Sequence, residues 1–140
     1  MPDRLLIIGD LGSDVQAFAD ALAQDFMLSL AATLPDAHKR LQKETFALLI
    51  FDACEDSGPL DEILSGLKRQ SPATPIVVTS PCAETGLIVA AVKAGAADFL
   101  TRPFAAEKLK LAVRRALENR RLQNEIDYLR REQDVIYDTD

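Results

Sequence analysis

Short apolar runs alternate with amphipathic segments along the whole chain. The runs predict strands at residues 5–8, 26–31, 46–51, 75–79 and 98–101, and the run at 26–31 alternates only weakly. Between them, apolar residues recur at helical spacing over 14–24, 35–43, 60–70 and 85–93, and a last helical pattern continues from about residue 105 almost to the end. This alternation predicts an α/β protein, a doubly wound parallel sheet with helices on both faces.

Polar residues stand at the carboxyl ends of four predicted strands. These residues are Asp10, Asp52, Ser80 and Arg102. Because ligands of open α/β sheets bind beyond the carboxyl ends of the strands, we expect two carboxylates, a hydroxyl and a guanidinium at one rim. The turn at residues 9–12, Gly-Asp-Leu-Gly, matches neither the dinucleotide-binding nor the P-loop pattern, so a nucleotide site is not predicted.

Composition narrows the class of protein further. The 140 residues carry a net charge of −6, which argues against binding to nucleic acid or to acidic membranes. Cys54, Cys82 and His38 do not supply a usual zinc site, so we expect buried thiols and an exposed helical histidine. No apolar run has the length of a signal peptide or a membrane span. We therefore expect a cytoplasmic protein without membrane or direct nucleic-acid partners.

Three segments together resemble the receiver domain of bacterial response regulators. They are Ala-Leu-Leu-Ile-Phe-Asp at 47–52, Pro-Ile-Val-Val-Thr-Ser at 75–80 and Gly-Ala-Ala-Asp-Phe-Leu-Thr-Arg-Pro-Phe at 95–104. The last segment closely follows the family's Gly-Ala-x-Asp-Tyr/Phe-Leu-x-Lys-Pro-Phe. The resemblance covers about residues 4–118. It implies the flavodoxin-like, CheY-like fold with strand order 2-1-3-4-5. The extended C-terminal helix is an addition that the helical pattern itself predicts.

The resemblance also implies a phosphorylation switch. In such domains the aspartate at the position of Asp52 accepts a phosphoryl group from a histidine kinase. The positions of Asp10, Asp52 and the backbone carbonyl of Cys54 correspond to the ligands of Mg²⁺, a cation that prefers oxygen atoms. Mg²⁺ offsets charge on the group that is transferred. We therefore expect Mg²⁺ as a cofactor, weakened by the glycine that precedes Asp10.

Further residues correspond to side chains that change position or contact the phosphoryl group when such a domain is phosphorylated. Ser80 matches the hydroxyl that is drawn toward the phosphoryl group, and Phe99 matches the aromatic residue that changes rotamer with it. Arg102 stands where the family has a phosphate-pairing lysine, and the peptide bond between Arg102 and Pro103 is expected to be cis by resemblance.

Several positions depart from the family pattern around Asp52. Gly9 replaces the first of two acidic residues, and Pro81 lacks the backbone N–H that faces the phosphoryl group. Arg102 has a planar fork instead of a compact ammonium and is able to pair with Asp52 before phosphate arrives. One hypothesis is phosphorylation of Asp52 with altered rates. The alternative is a phosphorylation-independent pseudo-receiver that acts as a dimerisation or interaction module.

An enzyme of the same topology, such as a small hydrolase or phosphatase, is a third reading. It is disfavoured because the chain has no second pair of nucleophile and base, and His38 lies outside the predicted crevice. We expect a regulatory module that is not a turnover enzyme.

The last helical pattern is longer than a receiver needs. Residues 1–118 are predicted to form the receiver domain, and 119–140 a coiled-coil-like linker toward a missing output domain. The heptad positions a and d are Asn119, Leu122, Ile126, Leu129, Gln133 and Ile136. They predict a homodimer, the alternative being a lone amphipathic helix that packs on its own domain or frays in solution. Residues 129–138 resemble the linker before the ATPase domain of sigma-54-dependent transcription activators.

Overall fold

The computed structural model describes residues 3–9, 15–53, 59–81, 85–102 and 104–137. Its strands are β1 (Arg4–Ile8), β2 (Met27–Ala31), β3 (Leu48–Asp52), β4 (Ile76–Ser80) and β5 (Asp98–Thr101). Its helices are α1 (Val15–Ala23), α2 (Leu34–Lys43), α3 (Leu60–Gln70), α4 (Thr85–Lys93) and α5 (Ala106–Tyr137). Asp10, Cys54, Cys82 and Pro103 were singled out from the sequence and lie outside the described residues.

The five strands form one parallel sheet in the order β2-β1-β3-β4-β5. This confirms the predicted fold class and strand order. β1, β3 and β4 have paired strands on both sides, and β3 and β4 are buried along their whole length. Their continuous apolar sequences are explained by this position, since a strand covered on both faces has no solvent-facing side.

Side chains alternate between the two faces of the sheet and form two separate cores. Leu5 and Ile7 of β1 belong to the first core, which α1 and α5 cover, while Leu6 and Ile8 belong to the second. The second core is closed by residues of α2, α3 and α4. Along β3, the first core includes Leu48 and Ile50, and Asp52 follows Ile50 two residues later.

Strand boundaries differ from the predicted ones by one or two residues. β3 begins at Leu48 instead of residue 46 and includes Asp52. Phe46 is buried in the second core, but it precedes the pairing of β3 with its neighbours. A buried aromatic residue before a strand therefore made the apolar run longer than the ladder.

His38 was expected to be an exposed residue of α2, and this expectation was wrong. The residue is half-buried, and its ring Nδ1 shares a hydrogen bond with the side-chain oxygen of Gln70 on α3. Gln70 Nε2 in turn donates to the backbone oxygen of His38 at 2.8 Å. The two helices cover the same face of the sheet, and this contact joins them.

Candidate functional site

Asp52 is the last residue of the central strand β3. Its side chain is 3% exposed. Ile50, two residues earlier, belongs to the first core, so alternation places the Asp52 side chain on the face covered by α1 and α5. A carboxylate that is removed from water in this way needs hydrogen bonds and a compensating charge.

Arg102 supplies that charge. Its Nη2 atom lies 3.1 Å from Oδ1 of Asp52 and 3.4 Å from Oδ2. One terminal nitrogen therefore contacts both oxygens, whereas the sequence suggested a fork of two nitrogens. The Nε atom of Arg102 is buried and has no hydrogen-bond partner among the described residues.

The backbone around Arg102 is held on both sides. Its amide donates to the carbonyl oxygen of Ser80 at 2.8 Å, which extends the ladder beyond β5. Two residues later, the ring of Phe104 stacks on Phe18 of α1 with centroids 4.9 Å apart and an interplanar angle of 18°. The Phe of the sequence motif thus fixes the segment that carries the guanidinium.

Thr79 also contacts the carboxylate of Asp52. Its Oγ1 donates a hydrogen bond of 2.8 Å to Oδ1 of Asp52. The two residues are paired in the ladder between β3 and β4, so their side chains point to the same face. Sequence reasoning singled out the neighbouring Ser80 and missed Thr79. The register of the two strands, which a family motif does not reveal, is the signal that identifies it.

Ser80 and Phe99 lie on a different side of the site. Ser80 is buried, and the alternation of side chains from Thr79 directs it toward the second face. Phe99 is half-buried against the second core and is paired with Val78 in the ladder. The structure therefore brings Asp52, Thr79 and Arg102 together on one face, and places Ser80 and Phe99 toward the other.

Gly9 lies against the backbone of Asp52. It has a φ of +102°, and an added Cβ would lie 3.2 Å from both Cβ and the backbone oxygen of Asp52. A side chain here meets both a strained backbone conformation and a close contact. The acidic residue that the family has at this position would therefore be strained in this local backbone.

The described residues do not form a metal site by themselves. Receiver domains typically bind Mg²⁺ at their phosphorylation site. In the described part of the chain, no group of three metal-ligating side chains occurs, and Asp52 already contacts a guanidinium and a hydroxyl. Asp10 and Cys54 lie outside the described residues. The Mg²⁺ set of Asp10, Asp52 and the Cys54 carbonyl stays a prediction.

Beyond Glu118, α5 continues without a break to Tyr137. Leu122, Ile126 and Leu129 are exposed by 47%, 44% and 57%, as expected for a helix with an unpaired apolar stripe. Asn119 is exposed as well, and the side chains of Gln133 and Ile136 lie outside those described.

Leu129 also lines a groove of about 1060 Å³ on its own domain, whose walls include Phe26 and Leu117. The exposed apolar stripe is available to a second copy of the helix, as an intermolecular coil requires. The groove is available if the helix packs on its own domain. The division of the chain at residue 118 stays a prediction.

Within the described residues, no helix is both long and apolar enough to cross a membrane.

Residues 5–114 match the family of response regulator receiver domains, and the chain belongs to this family. The resemblance inferred from the three sequence segments is thereby confirmed, and the protein is a receiver domain of the two-component response regulator type. Receiver domains interact with histidine kinases and output domains, and in general they are not enzymes.

Two curated relatives carry regulatory names. The chain is 37% identical over 135 residues to the nitrogen assimilation regulatory protein NtrX of Azorhizobium caulinodans, covering 93% of this chain and 29% of the relative. It is 30% identical over 129 residues to the alginate biosynthesis transcriptional regulatory protein AlgB of Pseudomonas aeruginosa, covering 90% of this chain and 28% of the relative. The chain thus spans less than a third of the length of these proteins.

Solved structures show the same fold. NtrX from Brucella abortus in complex with ADP superposes with a TM-score of 0.82 at 26% identity, covering 92% of this chain and 30% of that chain. A CheY-like receiver domain protein from Methanospirillum hungatei superposes with a TM-score of 0.77 at 20% identity, covering 88% of this chain and 99% of that one.

Proposed function

We propose that Asp52 accepts a phosphoryl group from the phosphohistidine of a histidine kinase. The observation that carries this proposal is the position of Asp52 at the carboxyl end of β3, with the Arg102 guanidinium 3.1 Å from its carboxylate. A guanidinium beside the nucleophile is able to offset the negative charge of a dianionic phosphoryl group during the attack.

The transfer exchanges one covalent bond for another. A carboxylate oxygen of Asp52 attacks phosphorus, the bond between phosphorus and the kinase imidazole nitrogen breaks, and that nitrogen keeps the electron pair. The product is an acyl phosphate, whose charge lies on the phosphoryl oxygens. We expect Arg102 to leave the neutralised carboxyl group and to pair with these oxygens, since its guanidinium binds anionic oxygens strongly.

A specific observation favours the alternative, a phosphorylation-independent pseudo-receiver. The ion pair between Asp52 and Arg102 is already formed, and Gly9 lies where the family has a carboxylate. If the guanidinium does not release Asp52, the domain acts through dimerisation or protein contacts alone.

Mass spectrometry of the intact protein separates the two hypotheses. After incubation with acetyl phosphate and Mg²⁺, we expect one phosphate adduct on the wild type and none on Asp52→Asn. The variant Arg102→Lys, which has the residue of the family at this position, is the diagnostic control. An adduct on Arg102→Lys but not on the wild type would establish the pseudo-receiver and identify Arg102 as its cause.

We further propose that the extension of α5 dimerises the protein through the predicted heptad residues 119–136. The exposed apolar residues Leu122, Ile126 and Leu129 support this proposal, because they recur at steps of four and three along one side of the helix. Burying them between two copies removes apolar surface from water.

Light scattering tests the dimer. We expect a dimer for the full chain and a monomer after truncation behind Glu118. Leu122→Lys should also give a monomer, whereas Gln123→Lys adds the same charge at the neighbouring position and should remain dimeric. A full chain that is monomeric would favour packing of the helix on its own domain.

The signal is proposed to reach an output domain in the same full-length chain, in the cytoplasm and without enzymatic turnover by these residues. The names of the two relatives, both regulatory proteins more than three times longer than the matched part, support a transcriptional output. The resemblance of residues 129–138 to the linker of sigma-54-dependent activators favours an ATPase as that domain. No direct contact of residues 1–140 with nucleic acid is proposed, because their net charge is −6.

A further inference from the structure

The Thr79 hydroxyl donates a hydrogen bond to the candidate phosphoacceptor Asp52, and no sequence motif or family match assigns it a role. We infer that Thr79 is a positioning residue for Asp52, which holds the carboxylate through Oδ1 and stabilises it relative to the phosphorylated form. This inference rests on the proposed phosphorylation of Asp52.

The position of the Thr79 hydroxyl is set by the pairing of β3 with β4. Thr79 is fully buried, and its carbonyl oxygen accepts from the amide of Ala53 at 2.7 Å, so its backbone is tied to the residue that follows Asp52. A β-branched side chain on a strand has restricted rotation about χ1. The hydroxyl therefore remains beside Oδ1, at 2.8 Å, when the charges around the site change.

Thr79 and Arg102 are expected to respond differently to phosphorylation. Arg102 is a long side chain that is one-fifth exposed, and its guanidinium is able to follow the negative charge onto the phosphoryl oxygens. The short side chain of Thr79 stays with the carboxyl group. The strength of the Thr79 hydrogen bond therefore depends on whether its acceptor is a charged carboxylate or the neutral carbonyl oxygen of an acyl phosphate.

A hydrogen bond to a carboxylate is about twice as strong as one to a neutral carbonyl oxygen. In hydrolysis of the acyl phosphate, water attacks phosphorus and releases a proton to the solvent. The bond from phosphorus to the Asp52 oxygen breaks, and the electron pair returns to the carboxylate. The Thr79 hydroxyl strengthens its hydrogen bond as this leaving group gains charge. It thus accelerates dephosphorylation and lowers the phosphorylated fraction at equilibrium.

The matched variants Thr79→Val and Thr79→Ser test this role. Valine keeps the shape and removes the hydroxyl, whereas serine keeps the hydroxyl and removes a methyl group. After phosphorylation with acetyl phosphate, we expect the phosphorylated state of Thr79→Val to live about 5-fold longer than that of the wild type. Thr79→Ser should decay at nearly the wild-type rate. Equal lifetimes in all three proteins, or equal changes in both variants, would overturn the inference.

A second measurement does not require phosphorylation. The ¹³C chemical shift of the Asp52 carboxyl group at pH 7 should be the same in the wild type and Thr79→Ser and displaced in Thr79→Val. If no protein takes up phosphate but the shift behaves in this way, the proposed function fails and the positioning of Asp52 stands. An unchanged shift in Thr79→Val overturns the positioning role itself.

Discussion

Two carboxylates of this protein are paired with basic side chains, and they differ mainly in their access to water. Asp25, in the turn after α1, lies 2.7 Å from Lys110 and 2.8 Å from Arg114 of α5, and its side chain is 40% exposed. Asp52 contacts Arg102 and Thr79, and its side chain is 3% exposed. Among the described residues, the exposed aspartate has more cationic partners, whereas the side chain of the buried one has less contact with water.

This difference decides what each ion pair does. Water and salt weaken the pairs of Asp25, so they add a small stabilisation between the turn and α5. Little water reaches Asp52 to replace a lost partner. We therefore expect Arg102 to change its position when the charge of Asp52 changes. Carboxylate–cation pairs therefore have two roles in this protein. Those of Asp25 stabilise the surface at one end of the sheet, and that of Asp52 responds to a change of charge at the other end.

The largest effect is expected when Arg102 is removed. Arg102→Gln should lower the free energy of unfolding by about 2–3 kcal/mol, because it removes the positive charge that lies 3.1 Å from a buried carboxylate oxygen. Urea denaturation measures the change. Arg102 is partly exposed, so the loss should fall short of that for a fully enclosed pair.

A double-mutant cycle isolates the contact. Asp52→Asn combined with Arg102→Gln should be more stable than Arg102→Gln alone, and the coupling should persist in high salt. Additive effects of the two substitutions would show that the ion pair does not contribute to stability, and the contrast with Asp25 would then disappear.

A smaller effect is expected at the backbone that encloses Asp52. Gly9→Ala should destabilise the protein by about 1–2 kcal/mol, since alanine is strained at positive φ, and the added Cβ meets Asp52. Gly66 in α3 is the matched control because a Cβ there meets nothing within 4 Å. Gly66→Ala should stabilise the helix by about 0.5–1 kcal/mol. Losses of equal size at both positions would indicate that the close approach of Gly9 is unimportant.

The smallest effect is expected at Asp25. The hydrogen bonds from Lys110 and then Arg114 hold the pKa of Asp25 below its usual value. A carboxyl group with a lowered pKa contributes stability above its unfolded-state pKa of about 3.9 and loses this contribution as the pH falls through its folded-state pKa. Asp25→Asn should therefore be slightly less stable than the wild type at pH 7, and the difference should vanish in acid.

Urea midpoints of the wild type and Asp25→Asn, measured from pH 7 to pH 3, follow this loss. Added salt should reduce the difference at pH 7. A difference that grows on acidification would contradict the assigned pairing.

Much of the fold and part of the site were predictable because local chemistry specifies them. The apolar runs of β1, β3 and β4 predict strands buried on both faces, and the periodic segments predict the helices between them. The position of Asp52 at a strand end and the segment around Arg102 follow from the apolar run of β3 and the motif at 95–104. Strand limits were less certain, because a buried residue such as Phe46 looks the same inside and outside a ladder.

The sequence by itself determined the class of fold, the strand ends that form the rim, and the two charged residues Asp52 and Arg102. Only the tertiary structure decided that Thr79 donates to Asp52 across 27 residues of chain, that Gln70 binds His38, and that Arg114 reaches Asp25 from 89 residues away. Periodicity and motifs indicate whether a residue is buried or exposed, and where it lies, within its own helix or strand. Strand register and helix packing are set by the summed burial of the whole core, and they choose which side chains meet.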